Sequence, residues 1–327
     1  MNVLPFETQT RIVASLVEGN SIRATERLTD VHRDTVMRLG VKIGEACGNL
    51  HRARMRNLQV ALLEFDEQWD FIGKKRRNVK EGDAAEMGDV WFFTALASTQ
   101  KAIISYVVGK RTAENTNAMV ADVRARVVNR PQITADGFPA YPDAIDTAFN
   151  RDVDFAVIEK HYQAPVANDA AHRYSPSTIR SMEKTRMRGN PKMELASTSY
   201  VERFNLTTRM QVRRCTRLTN GFSKKLENHA AALALYVAHY NFCRWHESIR
   251  CTPAMALGIT DHIWTIGELI ENALAAAESL PPNAPTTPVG PTGPKAPRPT
   301  APRAPVGRPL QLRVIQGGKV SGRPNRS

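Results

Sequence analysis

The order of strand-like and helix-like segments after residue 57 is the feature that most constrains the fold. Three segments rich in aromatic and β-branched residues come first, at 58–73, 89–98 and 101–109. A segment with apolar residues at helical spacing follows at 112–128. Residues 131–149 then predict a short strand, a glycine-containing loop and a helix, and residues 153–162 predict a last strand.

This order is that of a ribonuclease-H-like core, in which a mixed sheet carries helices on its faces. We therefore predict an α/β domain with a five-stranded mixed sheet and flanking helices over residues 58–265. Within it, residues 165–198 are polar and basic and contain helix-breaking prolines and a glycine. Residues 165–198 are accordingly predicted to be irregular, and the stretch 151–198 is a possible insertion.

Residues 1–50 have the pattern of a separate all-α module. Ser21 can cap a short helix that ends near Leu28, and a second helix begins near His32 after a tight turn. Leu28 and Val36 would belong to the small core of a helix-turn-helix. The alternative is an ordinary helical hairpin.

The front of that second helix carries polar side chains, where helix-turn-helix proteins usually contact bases. Arg33 and Thr35 are therefore candidate DNA-binding residues. The charge of the chain agrees, because a formal net charge of +13 favours a polyanionic partner, most often nucleic acid. Eight of the 45 basic residues lie in the stretch 280–327, whose composition of Pro, Gly, Ala, Thr and Arg predicts a disordered basic tail.

The composition also excludes several classes of protein. The four cysteines form no CxxC pair, which argues against a zinc ribbon or a disulfide framework. The sequence contains no run of about 18 apolar residues, so no membrane span is predicted. The N-terminus lacks the apolar core of a signal peptide. We expect a protein of the bacterial cytoplasm, associated with the nucleoid and not with a membrane.

Two aspartates occur near the ends of predicted strands. Because strand residues alternate, Asp66 and Gln68 face one side, and Glu67 and Trp69 face the other. Asp136 lies where the fourth strand would end. If the first and fourth strands are adjacent, the two aspartates can meet at about 5 Å. A divalent cation, Mg²⁺ with Mn²⁺ as substitute, would relieve their repulsion, and two such ions can activate a water or a 3′-hydroxyl.

A third carboxylate, Glu202, lies early in a predicted helix that could pack on the sheet. Arg209 and Arg213 fall on the same face of that helix. A metal-binding glutamate followed by an arginine stripe would suit a phosphate backbone. The alternative is that each acid is an ordinary surface ion-pair partner. If the set is different, the substitutes are Glu67, Asp70 and Glu194.

Other basic residues could contact DNA. Lys74 and Lys75 belong to a "KKRR" run that is either a solvated turn or a DNA contact beside the first strand. Arg203 directly follows Glu202 in "SYVERFN". These three side chains complete the predicted DNA-binding set.

Four phrases, "DEQWDFIGKK", "TADGF", "YVERFNLTTRM" and "HESIRCTPAMA", resemble insertion-sequence transposases of the IS-one type. Those proteins belong to the DDE transposase and retroviral-integrase superfamily. The resemblance extends from about residue 20 to residue 262, and it implies that Asp66, Asp136 and Glu202 form a metal-binding catalytic triad. The chain departs from the family by lacking a cysteine-rich zinc segment and by the 66-residue separation of Asp136 from Glu202.

The resemblance implies an enzyme that cleaves element ends and joins 3′-hydroxyls to target DNA by metal-dependent phosphoryl transfer. Its partners would be double-stranded DNA, both terminal repeats and target, and further copies of the chain in a homo-oligomer on DNA. Two alternatives remain: a non-enzymatic DNA-binding regulator whose catalytic set is idle, and a structure-specific nuclease on the same core.

Overall fold

A six-stranded mixed sheet lies at the centre of the computed structural model, which describes residues 3–162 and 179–279. The strands are β1 (Leu62–Ile72), β2 (Gly88–Ala97), β3 (Ala102–Gly109), β4 (Gln132–Asp136), β5 (Asp154–Tyr162) and β6 (Ile179–Arg188). Their order across the sheet is β3-β2-β1-β4-β5-β6. Strands β1, β4 and β5 are parallel, and the other three are antiparallel to their neighbours. The predicted α/β class with a mixed sheet is confirmed.

The expected number of strands, five, is wrong, because β6 adds a sixth. This strand lies in the stretch 151–198, which the sequence predicted to be irregular. All ten residues of β6 are exposed, and backbone pairing with β5 holds it at the edge of the sheet. A strand without a buried face has no alternating hydrophobic pattern, so sequence periodicity could not reveal it.

Nine helices surround the sheet in the described residues. They are α1 (Phe6–Val17), α2 (Ile22–Thr29), α3 (Arg33–Arg54), α4 (Ala113–Arg126), α5 (Tyr141–Phe149), α6 (Ser199–Gln211), α7 (Leu226–Phe242), α8 (Pro253–Ala256) and α9 (Ile266–Glu278). Helices α4 and α5 cover one face of the sheet, where Phe65 of β1 contacts Tyr141. Helices α6 and α7 cover the other, where Phe204 packs between Phe92 and Tyr240.

The N-terminal helices agree in part with their prediction. The Ser21 hydroxyl accepts the N–H of Ala24, so the predicted cap of α2 is present. Three residues separate α2 from α3, and Val36 is buried as expected. Leu28, however, is 59% exposed, because it lies on the outer side of the amphipathic α2. Whether this pair of helices reads DNA stays a prediction.

Helix α3 packs closely on two later helices of the fold. It contacts α7 and α9, and a Cβ on Gly44 would lie 2.1 Å from the carbonyl oxygen of Ala231 in α7. Only glycine permits so close an approach. The division into a module at 1–50 and a domain at 58–265 stays a prediction, and the predicted tail at 280–327 lies outside the described residues.

The membrane prediction can be compared with the helices directly. Across residues 3–162 and 179–279, no helix is both long enough and apolar enough to cross a bilayer.

Candidate active site

One face of β1 carries four polar side chains in succession: Glu64, Asp66, Gln68 and Asp70. We call them the carboxylate face. It lies under α6 and α7, and Glu64, Gln68 and Asp70 are buried. Burying several carboxylates on one side of a central strand is costly unless they are paired or bind a cation. This face is therefore where the chemistry of the site has to be examined.

Asp66 and Asp136 are neighbours across two parallel strands. The register pairs Phe65 of β1 with Ala135 of β4, and each aspartate is the next residue along its strand. Burial, followed by the charge of Asp136, raises the pKa of Asp66 to about 6. A raised pKa of this origin is typical of carboxylates that repel each other at short range. The adjacency assumed in the sequence is thus present.

Glu202 approaches the same two residues from α6. It lies in the first turn of the helix, and its charge also raises the pKa of Asp66. The Glu202 Oε1 accepts a 2.8 Å hydrogen bond from the Thr198 hydroxyl, and it forms an ion pair with Lys160 of β5. The structure therefore places Asp136 of β4 and Glu202 of α6 within electrostatic reach of Asp66 of β1.

Glu64 is a residue of this site that sequence reasoning missed. Its Oε2 accepts the backbone N–H groups of both Tyr200 and Val201, each at 2.9 Å, at the start of α6. No side-chain cap from Thr198 occupies that helix end. Glu64 therefore caps α6 from the sheet and fixes Glu202 relative to Asp66. Its position two residues before Asp66, on the same face of the strand, was the available signal.

Asn205 is a second missed residue. Its Nδ2 donates a 2.6 Å hydrogen bond to the Asp66 Oδ2. It lies three residues after Glu202, so both side chains occupy the same side of α6. Asn205 thus orients the Asp66 carboxylate, while Glu202 adds a second carboxylate from the same helix.

The alternative acids lie elsewhere. Glu67 is on the opposite face of β1, where it pairs with Arg111 at 2.9 Å, and burial with the charge of Asp136 raises its pKa to about 7. Glu194 is exposed in a short 3₁₀ turn. Asp70 is on the carboxylate face but two positions beyond Gln68. Glu67 nevertheless lies within electrostatic reach of Asp136 and Asp66 from the opposite face of the strand.

The donor set fits a hard divalent cation. The three acids offer carboxylate oxygens, which Mg²⁺ and Mn²⁺ prefer, and two of these acids stand side by side with uncompensated charge. A bound cation would remove the repulsion that raises the pKa of Asp66. The oxygen donors of these residues suit that metal, but the groups of described residues whose ligand atoms all lie within 4.8 Å of one another are Asp70, Cys215 and His229, and Glu159, His161 and Glu183.

Asp70 belongs to another polar cluster, with Cys215 and His229. Their ligand atoms lie within 4.8 Å of one another, a spacing that could also suit a metal. Burial and the charge of Arg214 lower the pKa of His229 to about 3, and Arg214 bonds Ser223, which in turn bonds His229. We interpret this cluster as a buried network that connects β1 to α7, because a neighbouring guanidinium opposes a cation there.

Two of the predicted DNA-binding residues converge from distant parts of the chain. Arg33 at the start of α3 and Arg213 after α6 both line a cavity of about 530 Å³. Arg23, Arg214 and Lys224 add further positive charge to its wall. The structure thus provides a basic concavity between the N-terminal helices and the end of α6.

The remaining predicted DNA-binding residues are more scattered. Lys74 pairs with Asp83 at 2.9 Å, and Lys75 lies 6.0 Å from the ring of Phe71. Arg203 is exposed beside Glu202, and Thr35 is half-buried in α3. Arg209 faces inward, and burial lowers its pKa although the charges of Asp66 and Asp70 oppose that shift. It is therefore a neighbour of the carboxylate face, not a freely exposed cation.

Comparisons with known proteins give structural similarities only. No protein family matches the chain, and no curated protein does. The fold is similar to the cryo-EM structure of the piggyBac transposase synaptic complex with hairpin DNA, with a TM-score of 0.37 and 10% identity over 85% of this chain and 73% of that one. It is also similar to the Mos1 transposase paired-end complex with the left transposon end, with a TM-score of 0.21 and 10% identity over 72% and 80%.

Proposed function

We propose that the protein is a DDE-type DNA transposase, which cleaves element ends and joins 3′-hydroxyls to target DNA. The observation that supports this most is the convergence of Asp66, Asp136 and Glu202 on one side of a mixed α/β sheet. Burial, and after it the charges of Asp136 and Glu202, raise the pKa of Asp66, and carboxylates perturbed in this way are common at functional sites.

Each residue of the cluster has a defined part in the proposed reaction. Asp66, Asp136 and Glu202 would hold Mg²⁺, or Mn²⁺ in its place. The ions supply activation of a water or a 3′-hydroxyl and stabilisation of the leaving oxygen. Asn205 holds the Asp66 carboxylate in one orientation, and Glu64 holds the start of α6 against β1. Contacts of this kind would contribute the positioning that phosphoryl transfer requires.

The proposed substrate is double-stranded DNA, at element ends and at the target, bound by a homo-oligomer of the chain. Arg33 and Arg213 support this, since they line one basic concavity near the start of α3. The exposed Arg203 would contact a phosphate next to the cluster. Arg33→Ala should weaken binding to the cognate end by about 1–3 kcal/mol if Arg33 reads a base. Equal weakening on random duplexes would limit Arg33 to phosphate contacts.

The test is strand transfer of a pre-cut oligonucleotide end with Mg²⁺ or Mn²⁺, measured beside DNA binding. Asp66→Asn, Asp136→Asn and Glu202→Gln each keep the shape of the side chain and remove its charge. Each should lower the rate by more than about a hundredfold, because even outer-shell partners of metal ligands contribute about 10- to 100-fold. Binding to DNA should persist, since basic side chains supply it.

Glu194→Gln is the matched control, because Glu194 is an exposed acid shortly before α6 that lies outside the cluster. It should retain near-normal transfer. Near-normal transfer by Glu202→Gln would remove that residue from the triad. Specific DNA binding without any cleavage or transfer by the unaltered protein would favour the non-enzymatic regulator, and cleavage of branched DNA alone would favour the nuclease.

A further inference from the structure

We propose that Lys160 is an internal cation that pairs with Glu202 in the metal-free protein and competes with a divalent cation for that carboxylate. This inference rests on the proposed function, because it concerns the same carboxylate cluster. Lys160 would act through Glu202 as a positioning residue. Its contact with Glu202 would determine how strongly the carboxylate cluster binds a metal ion.

The position of Lys160 follows from the sheet. Asp136 at the end of β4 pairs with Ile158 of β5, and Lys160 lies two residues further along β5. Two residues along a strand return the side chain to the same face, so Lys160 emerges on the side of the sheet where Asp136 and Glu202 meet. Its side chain is only 15% exposed, whereas that of Glu202 is 48% exposed. The lysine thus approaches Glu202 from inside the protein.

The contact uses an oxygen that a metal would need. Lys160 Nζ and the Thr198 hydroxyl both donate to the Glu202 Oε1. A carboxylate oxygen with two donors has little capacity left for a cation. The Glu202 Oε1 therefore already accepts two donors, and a cation that binds this oxygen competes with the ammonium group.

The charges of Lys160 and of the three acids explain why this contact should affect metal binding. The three acids repel one another without a cation, and the ammonium of Lys160 partly compensates that repulsion. A divalent ion bound to Glu202 would meet the ammonium at short range, where like charges repel strongly. The two cations consequently compete for one carboxylate, and removing the lysine should strengthen metal binding.

The experiment is calorimetric titration of Mn²⁺ into the full-length, chelator-treated protein at neutral pH without DNA. Lys160→Gln and Lys160→Met remove the charge by two routes, so the result does not depend on the folding of one variant. Both should bind Mn²⁺ about three- to tenfold more tightly than the unaltered protein. Lys160→Arg keeps the charge, and Lys225→Gln removes the lysine of an exposed pair with Glu227 on α7. These two should stay within about twofold.

The outcomes separate this inference from the proposed function. Unchanged or weaker Mn²⁺ binding by both neutral variants would overturn the role of Lys160 and leave the metal site intact. Absence of Mn²⁺ binding in the unaltered protein and in both neutral variants would overturn both proposals. Binding that appears only after Lys160 is neutralised would support the competition directly. In the neutral variants, Asp66→Asn should abolish the gain, and a gain that persists would place the metal elsewhere and overturn the inference.

Discussion

The two faces of β1 show opposite solutions to burial. One side carries Leu63 and Phe65, which are fully buried and contribute to the hydrophobic core with α4 and α5. The other carries the carboxylate face, which is also covered by helices but consists of acids and an amide. The same backbone thus supports a largely hydrophobic core on one side, where Glu67 pairs with Arg111, and a polar site on the other.

This difference between the faces indicates which side of β1 contributes mainly to stability and which contributes mainly to function. Apolar burial stabilises the fold in proportion to area, whereas buried carboxylates destabilise it unless a partner compensates them. Burial raises the pKa of Glu64 to about 7 and that of Asp66 to about 6. A protein retains such groups mainly where binding or catalysis requires them. Substitutions of Phe65 and of Asp66, on opposite faces, should accordingly have opposite effects on stability.

The largest effect is expected from Phe65→Ala. Phe65 is fully buried and contacts the ring of Tyr141, so its truncation leaves a cavity in the core. The free energy of unfolding should fall by about 3–5 kcal/mol, as measured by urea denaturation. Asp66→Asn, one residue away, should cause no such loss. A Phe65→Ala loss below about 1 kcal/mol would contradict the division of labour between the faces.

Much of this arrangement was predictable from sequence. Strand alternation placed Asp66 and Gln68 together, and the order of elements made β1 and β4 neighbours, so the aspartate pair followed from local pattern. Glu202 was found through its surrounding phrase, because helical periodicity alone cannot indicate which residue of a helix approaches a strand.

Other features depend on tertiary contacts that leave no local signal. Glu64 caps a helix that begins 135 residues later in the chain, and capping rules consider only the residues next to a helix end. The pairing of Lys160 with Glu202 joins β5 to α6 in the same way. β6 escaped prediction because an exposed edge strand needs no hydrophobic alternation.

A smaller effect is expected from Glu64→Ala, which leaves the N–H groups of Tyr200 and Val201 without their acceptor. Orphaned buried donors of this kind cost about 1–3 kcal/mol in total, measurable by denaturation. Glu64→Gln retains an acceptor oxygen and should lose less. Mn²⁺ affinity should also fall for Glu64→Ala, because Glu202 is no longer fixed relative to Asp66. Full stability of Glu64→Ala would show that the cap does not hold α6.

The smallest expected effect is an increase in stability, caused by Asp66→Asn and measured in the presence of a chelator. The folded pKa of Asp66 is about 6, above an unfolded value of about 3.9. A raised pKa means that the folded state favours the neutral acid. This preference stabilises the folded state below about pH 4, and the stabilisation is lost as the pH rises through 6. Asparagine does not titrate and retains an oxygen for Asn205.

The variant should therefore match the unaltered protein at about pH 4 and below and exceed its stability by about 1–2 kcal/mol at pH 8, a value discounted from the full shift because Asp66 is only partly shielded from solvent. Thermal unfolding from pH 4 to pH 8 measures the difference, with Glu194→Gln as a surface control. Added Mn²⁺ should reverse the order at pH 8, because only the unaltered cluster gains stability from the bound ion. A stability difference that stays constant from pH 5 to pH 8 would show that Asp66 carries no buried charge penalty. The carboxylate face would then be an ordinary polar surface beneath a helix, and its contrast with the Phe65 side would lose its functional meaning.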